Sequence, residues 1–276
     1  MNTRSTLELK FLTWLKNRVI FLFMLVGLNL SCQHVNPKAK EQEANIQKII
    51  DTNIAYAQKR MDEGDPEQAL SALRPLLTNF PDNAPLLNMI GLTYLSMSRT
   101  AQAKVYFRRA YKKDKNPSYA LNLSSALIMT NSYAEAERTL ESHIKEKKYQ
   151  YMERFYHNYA LTFENRQNYQ RAIEYYNKAL DENPSYYLSN IRLGNIYKIL
   201  HQKESALSSY ESAYNSCKIC FEPVSELCHL YIDAGELAKA NEMLRGFLAN
   251  KEITKEGREQ AQKLLSLSSS KMNRTE

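Results

Sequence analysis

The chain has 276 residues, of which 43% are hydrophobic and 24% charged, so it can bury a substantial core and is not expected to be disordered. It contains seven glycines and eight prolines, too few for an all-β or loop-rich fold. The formal net charge is +7, but the basic residues are scattered among acidic ones, which argues against a nucleic-acid-binding surface.

The first 31 residues have the pattern of an export signal. Lys16 and Arg18 precede an apolar run over residues 19–28, which is shorter than the roughly 20 apolar residues that a membrane span needs. Asn29, Leu30 and the small residue Ser31 follow, and Cys32 comes directly after Ser31. This order resembles the lipobox of bacterial lipoproteins, in which the cysteine is diacylated and becomes the mature N-terminus. The resemblance implies a lipid anchor at Cys32. An uncleaved anchor and a coincidental cysteine remain open alternatives.

Residues 32–45 are mostly polar and are expected to form a short tether. Gln33, directly after the cysteine, favours sorting to the periplasmic face of the outer membrane by resemblance to lipoproteins. The predicted localisation is therefore the bacterial cell envelope.

Internal repeats dominate the rest of the chain. Alanine recurs at intervals of 33 to 36 residues, at Ala69, Ala103, Ala136, Ala172, Ala206 and Ala240. A second column of small residues lies twelve positions earlier, at Ala57, Gly91, Ser124, Ala160, Gly194 and Cys228. Large apolar residues flank both columns at helical spacing, so each unit is predicted to contain two closely crossing helices.

These columns and their 34-residue period resemble the tetratricopeptide repeat, a helix-turn-helix unit. The resemblance implies an all-α, right-handed superhelical solenoid of six helix pairs with a C-terminal capping helix that begins after Thr254. The solenoid with its cap is expected to span residues 46–267, and residues 268–276 to form a disordered tail. Proteins of this family bind other proteins, so no enzymatic activity is expected.

Motifs for catalysis or cofactor binding do not occur in the sequence. It has no phosphate-binding glycine loop, zinc-protease helix or nucleophile elbow, and its five histidines are dispersed. We therefore predict no catalytic residues, no cofactor, no bound metal and no small-molecule substrate.

The remaining cysteines lie near the last repeat. Cys217 and Cys220 fall where the fifth repeat gives way to the sixth, and both a local disulfide and free thiols are compatible with that position. Cys228 occupies the small column and is expected to be buried. A zinc site that combines these cysteines with His229 is the alternative, but adjacent helical residues diverge by about 100°.

The partner-binding groove is predicted from first-helix positions one residue after the packing columns, because these positions line the concave face in tetratricopeptide proteins. In the first three repeats they are Ile54, Gln58, Met61, Asn88, Leu92, Leu95, Leu121, Ser125 and Ile128. This set predicts an apolar groove suited to an amphipathic helix or a strand of a partner. The corresponding set in the last three repeats is of mixed polarity.

A second binding mode is suggested by four polar residues of the later repeats. Arg154, Asn158, Arg192 and Asn195 resemble part of the carboxylate clamp of chaperone-binding repeats. The lysine that this family places on the first of its helices is absent here. Recognition of a free carboxyl terminus is therefore not predicted.

The overall organisation resembles type IV pilus biogenesis lipoproteins of the PilF/PilW pilotin family. The segment Tyr151-Met152-Glu153-Arg154 is similar to a Tyr-Pro-Glu-Arg segment that leads into the fourth repeat of that family, with Met152 in place of proline. The resemblance implies that the partner is a secretin subunit of the outer membrane. A generic envelope adaptor that recruits, for example, cell-wall enzymes, and an inner-membrane assembly factor with an uncleaved anchor, are the alternatives.

Overall fold

The structure is a computed structural model that describes residues 37–146 and 149–275. The proposed signal peptide and Cys32 lie outside the described residues. Within those ranges the chain forms thirteen α-helices and no strand. In chain order they are α1 (Pro37–Asp62), α2 (Pro66–Asn79), α3 (Ala84–Ser96), α4 (Thr100–Lys113), α5 (Pro117–Met129), α6 (Tyr133–Glu146), α7 (Met152–Glu164), α8 (Tyr169–Glu182), α9 (Tyr187–Ile199), α10 (Lys203–Ser216), α11 (Phe221–Asp233), α12 (Leu237–Ala249) and α13 (Lys255–Thr275).

The chain divides into two compact units, Met1–Tyr56 and Ala57–Glu276. The described part of the first unit is the N-terminal portion of α1. In the second unit the two helices of each repeat from α3 onward pack against each other, and from α2 onward each helix packs against the next, up to α13 against α12. The predicted all-α tetratricopeptide solenoid is confirmed.

The small residues of the first column allow the two helices of a repeat to approach closely. A Cβ atom at Gly91 would lie 2.5 Å from Cε1 of Phe107, which is fully buried. The same relationship recurs between Gly194 and Tyr210, three helix pairs further along the chain. Glycine is therefore required at these positions by packing against an aromatic ring of the second helix.

Each turn between the two helices of a repeat contains one residue in the left-handed conformation. The residues are Gly64, Ser98, Asn131, Gln167, His201 and Gly235, with φ angles from 56° to 80°. They are spaced by 33 to 36 residues and so mark the same point of all six repeats. Only two of them are glycines, so the sequence did not reveal this position in the other four. The hydrogen bonds of the turn hold these four residues in a conformation that costs a non-glycine residue about 1 kcal/mol.

Side-chain caps begin several of the helices. Asn83 Oδ1 accepts a hydrogen bond from the Leu86 amide at 2.9 Å, and Thr254 Oγ1 accepts one from the Gly257 amide at 3.0 Å. The last helix thus begins directly after Thr254, as the sequence predicts.

The structure differs from the predicted tether and tail. Helix α1 already begins at Pro37, inside residues 32–45, because proline is favourable in the first turn and the segment that follows is rich in helix-forming residues. Helix α13 continues to Thr275, so residues 268–275 are helical. The hydroxyls of Ser266 and Ser270 donate to carbonyls three residues earlier, which satisfies these two groups within the helix, whereas the hydroxyl of the fully buried Ser268 has no hydrogen-bond partner among the described residues.

Candidate partner-binding surface

The first helices of successive repeats lie side by side in the second unit. Asn122 Nδ2 of α5 donates to Asn88 Oδ1 of α3 at 2.8 Å, and Asn158 Nδ2 of α7 donates to Ser125 Oγ of α5 at 3.2 Å. We call the surface formed by these helices the first-helix face. Its residues are Asn88, Leu92, Leu95, Asn122, Ser125, Met129, Asn158, Leu161, Glu164, Arg192, Asn195, Lys198, Ile199 and Glu226.

The predicted groove residues differ in accessibility. Leu92 and Leu95 are half-buried and offer part of their apolar surface to solvent. Met61 and Ile54 on α1 are also half-buried, but Ile54 belongs to the first unit. Gln58 is exposed and donates to Asp62 at 2.9 Å, while Asn88 and Ser125 are half-buried.

Leu121 and Ile128 do not contribute an accessible surface, and that part of the prediction is wrong. Leu121 is only 3% exposed and Ile128 only 7%. Leu121 belongs to a core cluster with Met152 and Phe155 of α7. The reason is that α7 packs directly against α5, so that the first helix of the next repeat covers a position that the sequence pattern assigns to solvent.

The most accessible apolar residue of this part of the first-helix face was not predicted. Met129, the last residue of α5, is 60% exposed. Ile199 ends α9 at the same position of the fifth repeat and is 52% exposed. The sequence could have indicated these residues, because each is an apolar residue five positions after the small column. At that position the side chain packs neither against the second helix of its repeat nor against the next repeat.

The later part of the first-helix face is polar and internally paired. Glu164 of α7 lies 3.4 Å from Arg192 of α9, and Lys198 of α9 lies 2.9 Å from Glu226 of α11. An acid and a base therefore meet across each of two successive repeat junctions. Because these pairs are partly exposed, each stabilises the fold only by roughly 0–1 kcal/mol.

The residues that resemble a carboxylate clamp are mostly engaged within the chain. Asn158 bonds Ser125, Arg192 pairs with Glu164, and Asn195 Oδ1 accepts a hydrogen bond from the Tyr210 hydroxyl at 2.6 Å. A ligand carboxylate would have to displace these partners. The arrangement is that of a packed junction.

His157 has the surroundings of a core residue. It is buried on α7, and its Nδ1 lies 3.0 Å from Ser189 Oγ. Burial, with a further contribution from Arg192, lowers the pKa of His157 to about 3, so the ring is neutral at physiological pH. The neighbouring Tyr176 hydroxyl donates to Glu164, and burial raises the pKa of Tyr176 well above its usual value.

The structure joins Cys217 and Cys220 by a disulfide whose Cα atoms are 5.4 Å apart. Cys228 is fully buried, and burial raises the pKa of its thiol to about 12. His229 is exposed, so it does not share the environment of Cys228. Within residues 37–146 and 149–275 no group of three or more potential ligands is placed to hold a metal ion.

Among the helices that the structure describes, none combines the length and the apolar character required to cross a membrane.

Comparisons with known proteins agree with this architecture. Models of the tetratricopeptide repeat match residues 88–151 and 153–186. The structure continues the same helix pairs beyond those segments, so the chain contains tetratricopeptide repeats and has the all-α fold of a tetratricopeptide solenoid. No catalytic family is indicated, and the repeats of this family are protein-interaction modules.

One of the relatives found by sequence is a type IV pilus factor. The type IV pilus assembly protein PilF of Pseudomonas aeruginosa is 32% identical over 84 residues, which are 30% of this chain and 32% of that protein. The matched segment thus spans about a third of that relative. An uncharacterized protein, ycf37 of Cyanophora paradoxa, is 27% identical over 126 residues, 45% of this chain and 67% of that protein.

Solved structures extend the likeness in fold. PilF of Pseudomonas aeruginosa superposes with a TM-score of 0.60 at 17% identity, over 79% of this chain and 98% of that one. PilW, described as a widely conserved type IV pilus biogenesis factor, gives 0.62 at 15% identity, over 76% and 97%. Together the comparisons show the tetratricopeptide fold and a partial sequence similarity to a type IV pilus assembly protein.

Proposed function

We propose that this protein is a membrane-anchored scaffold that binds a secretin subunit at its first-helix face and assists secretin assembly in type IV pilus biogenesis. The assignment to type IV pilus biogenesis rests on the 32% identity to the pilus assembly protein PilF over 84 residues. The repeat architecture supports the general role, because a stack of helix pairs offers an extended surface to a protein partner.

The contact surface of this proposal is the early part of the first-helix face. Leu92, Leu95 and Met129 expose apolar surface there, whereas the later part carries paired charges. Covering apolar surface contributes about 25 cal/mol per Å², so these three side chains can anchor an amphipathic partner segment.

The anchor of the proposal is a lipid at Cys32. A secretin subunit exposes unpaired strand edges and apolar surface before its barrel closes, and such edges aggregate unless they are covered. A scaffold held at the outer membrane would shield these surfaces and raise the local concentration of subunits where the barrel assembles. No covalent bond is made or broken in this role.

Deletion of the gene tests the proposal. We expect secretin monomers to persist while heat-resistant multimers, surface pili and twitching motility decrease. Cys32→Ala should leave a folded protein that no longer localises assembly to the outer membrane. Normal multimers and pili in a clean deletion strain would favour the generic envelope adaptor, and fractionation of the protein with the inner membrane would favour the uncleaved assembly factor.

A further inference from the structure

A cavity of about 430 Å³ lies at the junction of the fifth and sixth repeats. The apolar residues that line it include Leu207 of α10 and Leu230 of α11. Charged residues of both signs, among them Lys203 and Asp233, also line it. Its volume lies within the range of about 300–1,000 Å³ that is usual for ligand pockets, and no role described above uses it.

The preceding junction explains why this cavity exists. The repeats on either side have a period of 34 residues, so each lining residue has a counterpart 34 positions earlier. Three counterparts are bulkier than the cavity residue, namely Tyr169 for Lys203, Ile199 for Asp233, and Leu200 for Ala234. Ile199 and Leu200 are 52% and 39% exposed, whereas Tyr169 is half-buried, so Tyr169 is the counterpart that packs into the junction. The cavity is therefore a local departure from the repeat pattern.

Packing at the two junctions reflects this departure. Tyr169 packs against the core cluster of the fourth and fifth repeats, which contains Ile196. Ile196 is fully buried, whereas its counterpart Leu230 is only half-buried. The fifth repeat thus leaves open the space in which the fourth repeat places an aromatic side chain of its own.

The cavity lies at the turns between helices and is also lined by Lys198 of the later part of the first-helix face, but not by the accessible leucines of its early part. Its lining includes His201 and Glu236, which lie in the turns of the fifth and sixth repeats. A ligand there would approach the edge of the repeat stack, so it could bind while the early part of the first-helix face holds another segment.

We propose that this cavity binds an aromatic side chain presented by a partner protein. The chain itself shows the fit, since Tyr169 fills the equivalent space one repeat earlier. An aromatic ring would bury its apolar body against Leu207 and Leu230, and the charged lining residues would face the polar backbone on either side of it. The proposal does not depend on the partner being a secretin.

Closing the cavity with the residues of the preceding repeat provides the test. Lys203→Tyr and, separately, Ala234→Leu restore the counterparts, while Lys203→Gln removes the charge and leaves the cavity open. The full chain in lipid nanodiscs, with labelled leucine methyl groups, is titrated with the blocked tripeptide Ala-Tyr-Ala and with the blocked Ala-Ala-Ala. Thermal unfolding of every variant verifies that it folds.

The tyrosine peptide is expected to produce saturating methyl shifts at Leu207 and Leu230 in the wild type and in Lys203→Gln. Both closing variants should weaken this binding about tenfold or more, because the aromatic ring loses its packing site. The alanine peptide should leave the methyl groups of both leucines unshifted. Shifts that persist unchanged in both folded closing variants would overturn the proposal. The proposal would also be overturned if the wild-type shifts at these leucines changed with protein concentration and not with peptide. A second copy of the chain would then occupy the cavity.

Discussion

The ring of Tyr210 lies directly against Gly194, so that a Cβ atom added to Gly194 would stand 2.5 Å from Cε1 of the ring. Tyr210 is fully buried, and its hydroxyl is held by Asn195, so the ring cannot move aside freely. The same contact between Gly91 and Phe107 shows that the helices of a repeat are held at the distance that a glycine allows. The small column of the sequence therefore has a direct steric cause.

Replacing two helical glycines by alanine should therefore change the free energy of unfolding in opposite directions. Gly194→Ala gains up to about 1 kcal/mol of helix propensity but forces overpacking that costs about 1–3 kcal/mol, so we expect net destabilisation. Gly246→Ala on α12 is the matched control, since a Cβ atom there meets nothing within 4 Å. It should stabilise the protein by about 0.5–1 kcal/mol. Denaturant unfolding of both variants measures the difference, and equal signs would contradict this account of the column.

Leucine substitutions should separate core from surface on the first helices. Leu121→Ala removes a side chain packed against α7 and should cost about 2–4 kcal/mol of unfolding free energy. Leu92→Ala at a half-buried position should cost about 1 kcal/mol or less. Chemical denaturation distinguishes the two. If Leu92→Ala is as damaging as Leu121→Ala, then Leu92 is core and the first-helix face is smaller than described.

The buried His157 makes stability depend on pH in a defined window. Its folded pKa of about 3 lies below the unfolded value of 6.5, so the unfolded state binds the extra proton and stability is lost as pH falls below 6.5. Between pH 7 and pH 5 this one group should lower the unfolding free energy by roughly 2 kcal/mol. His157→Gln retains a polar group for Ser189 but does not titrate, and it should lose less stability over the same range. Parallel pH profiles of the two proteins would show that His157 is not the responsible group.

Thiol reactivity should distinguish the three cysteines of the described chain. Cys228 is buried with a raised pKa, so iodoacetamide should label it only after denaturation. Cys217 and Cys220 should resist labelling until a reductant opens their disulfide. Mass spectrometry of labelled peptides checks both statements. Rapid labelling of Cys228 in the native protein would mean that the sixth repeat is open.

Sequence periodicity was sufficient to predict the helix pairs, because the small and aromatic columns repeat in register with intrahelical spacing. It did not predict contacts between repeats. Ile128 occupies the same position of its repeat as Leu95, yet Ile128 is buried whereas Leu95 is half-buried, since the pattern of one repeat carries no information on how closely its neighbour packs. The helical extensions at both ends were missed for a related reason. Polar residues at Pro37–Asn45 and a run of serines near Ser268 look like linker in composition, but they continue helices that packing or capping has already nucleated.

The final prediction concerns the proposed partner surface. Met129 is 60% exposed on the first-helix face, and Val105 is 50% exposed on α4, a second helix. Met129→Glu and Val105→Glu each place a charge on an accessible apolar site, so neither should lower the unfolding free energy by more than about 0.5 kcal/mol. Only Met129→Glu should weaken binding of the purified secretin subunit, because it would bury a charge against an apolar partner segment, and we expect an affinity loss of about tenfold or more.

In cells the same pair should differ in heat-resistant secretin multimers, which would decrease with Met129→Glu and remain normal with Val105→Glu. Equal binding and equal multimers for the two folded variants would exclude the first-helix face as the docking surface. If the purified secretin subunit does not bind the unaltered chain at all, then the secretin assignment itself fails. The aromatic-side-chain cavity at Lys203 would still stand, since its test uses a peptide and not the secretin.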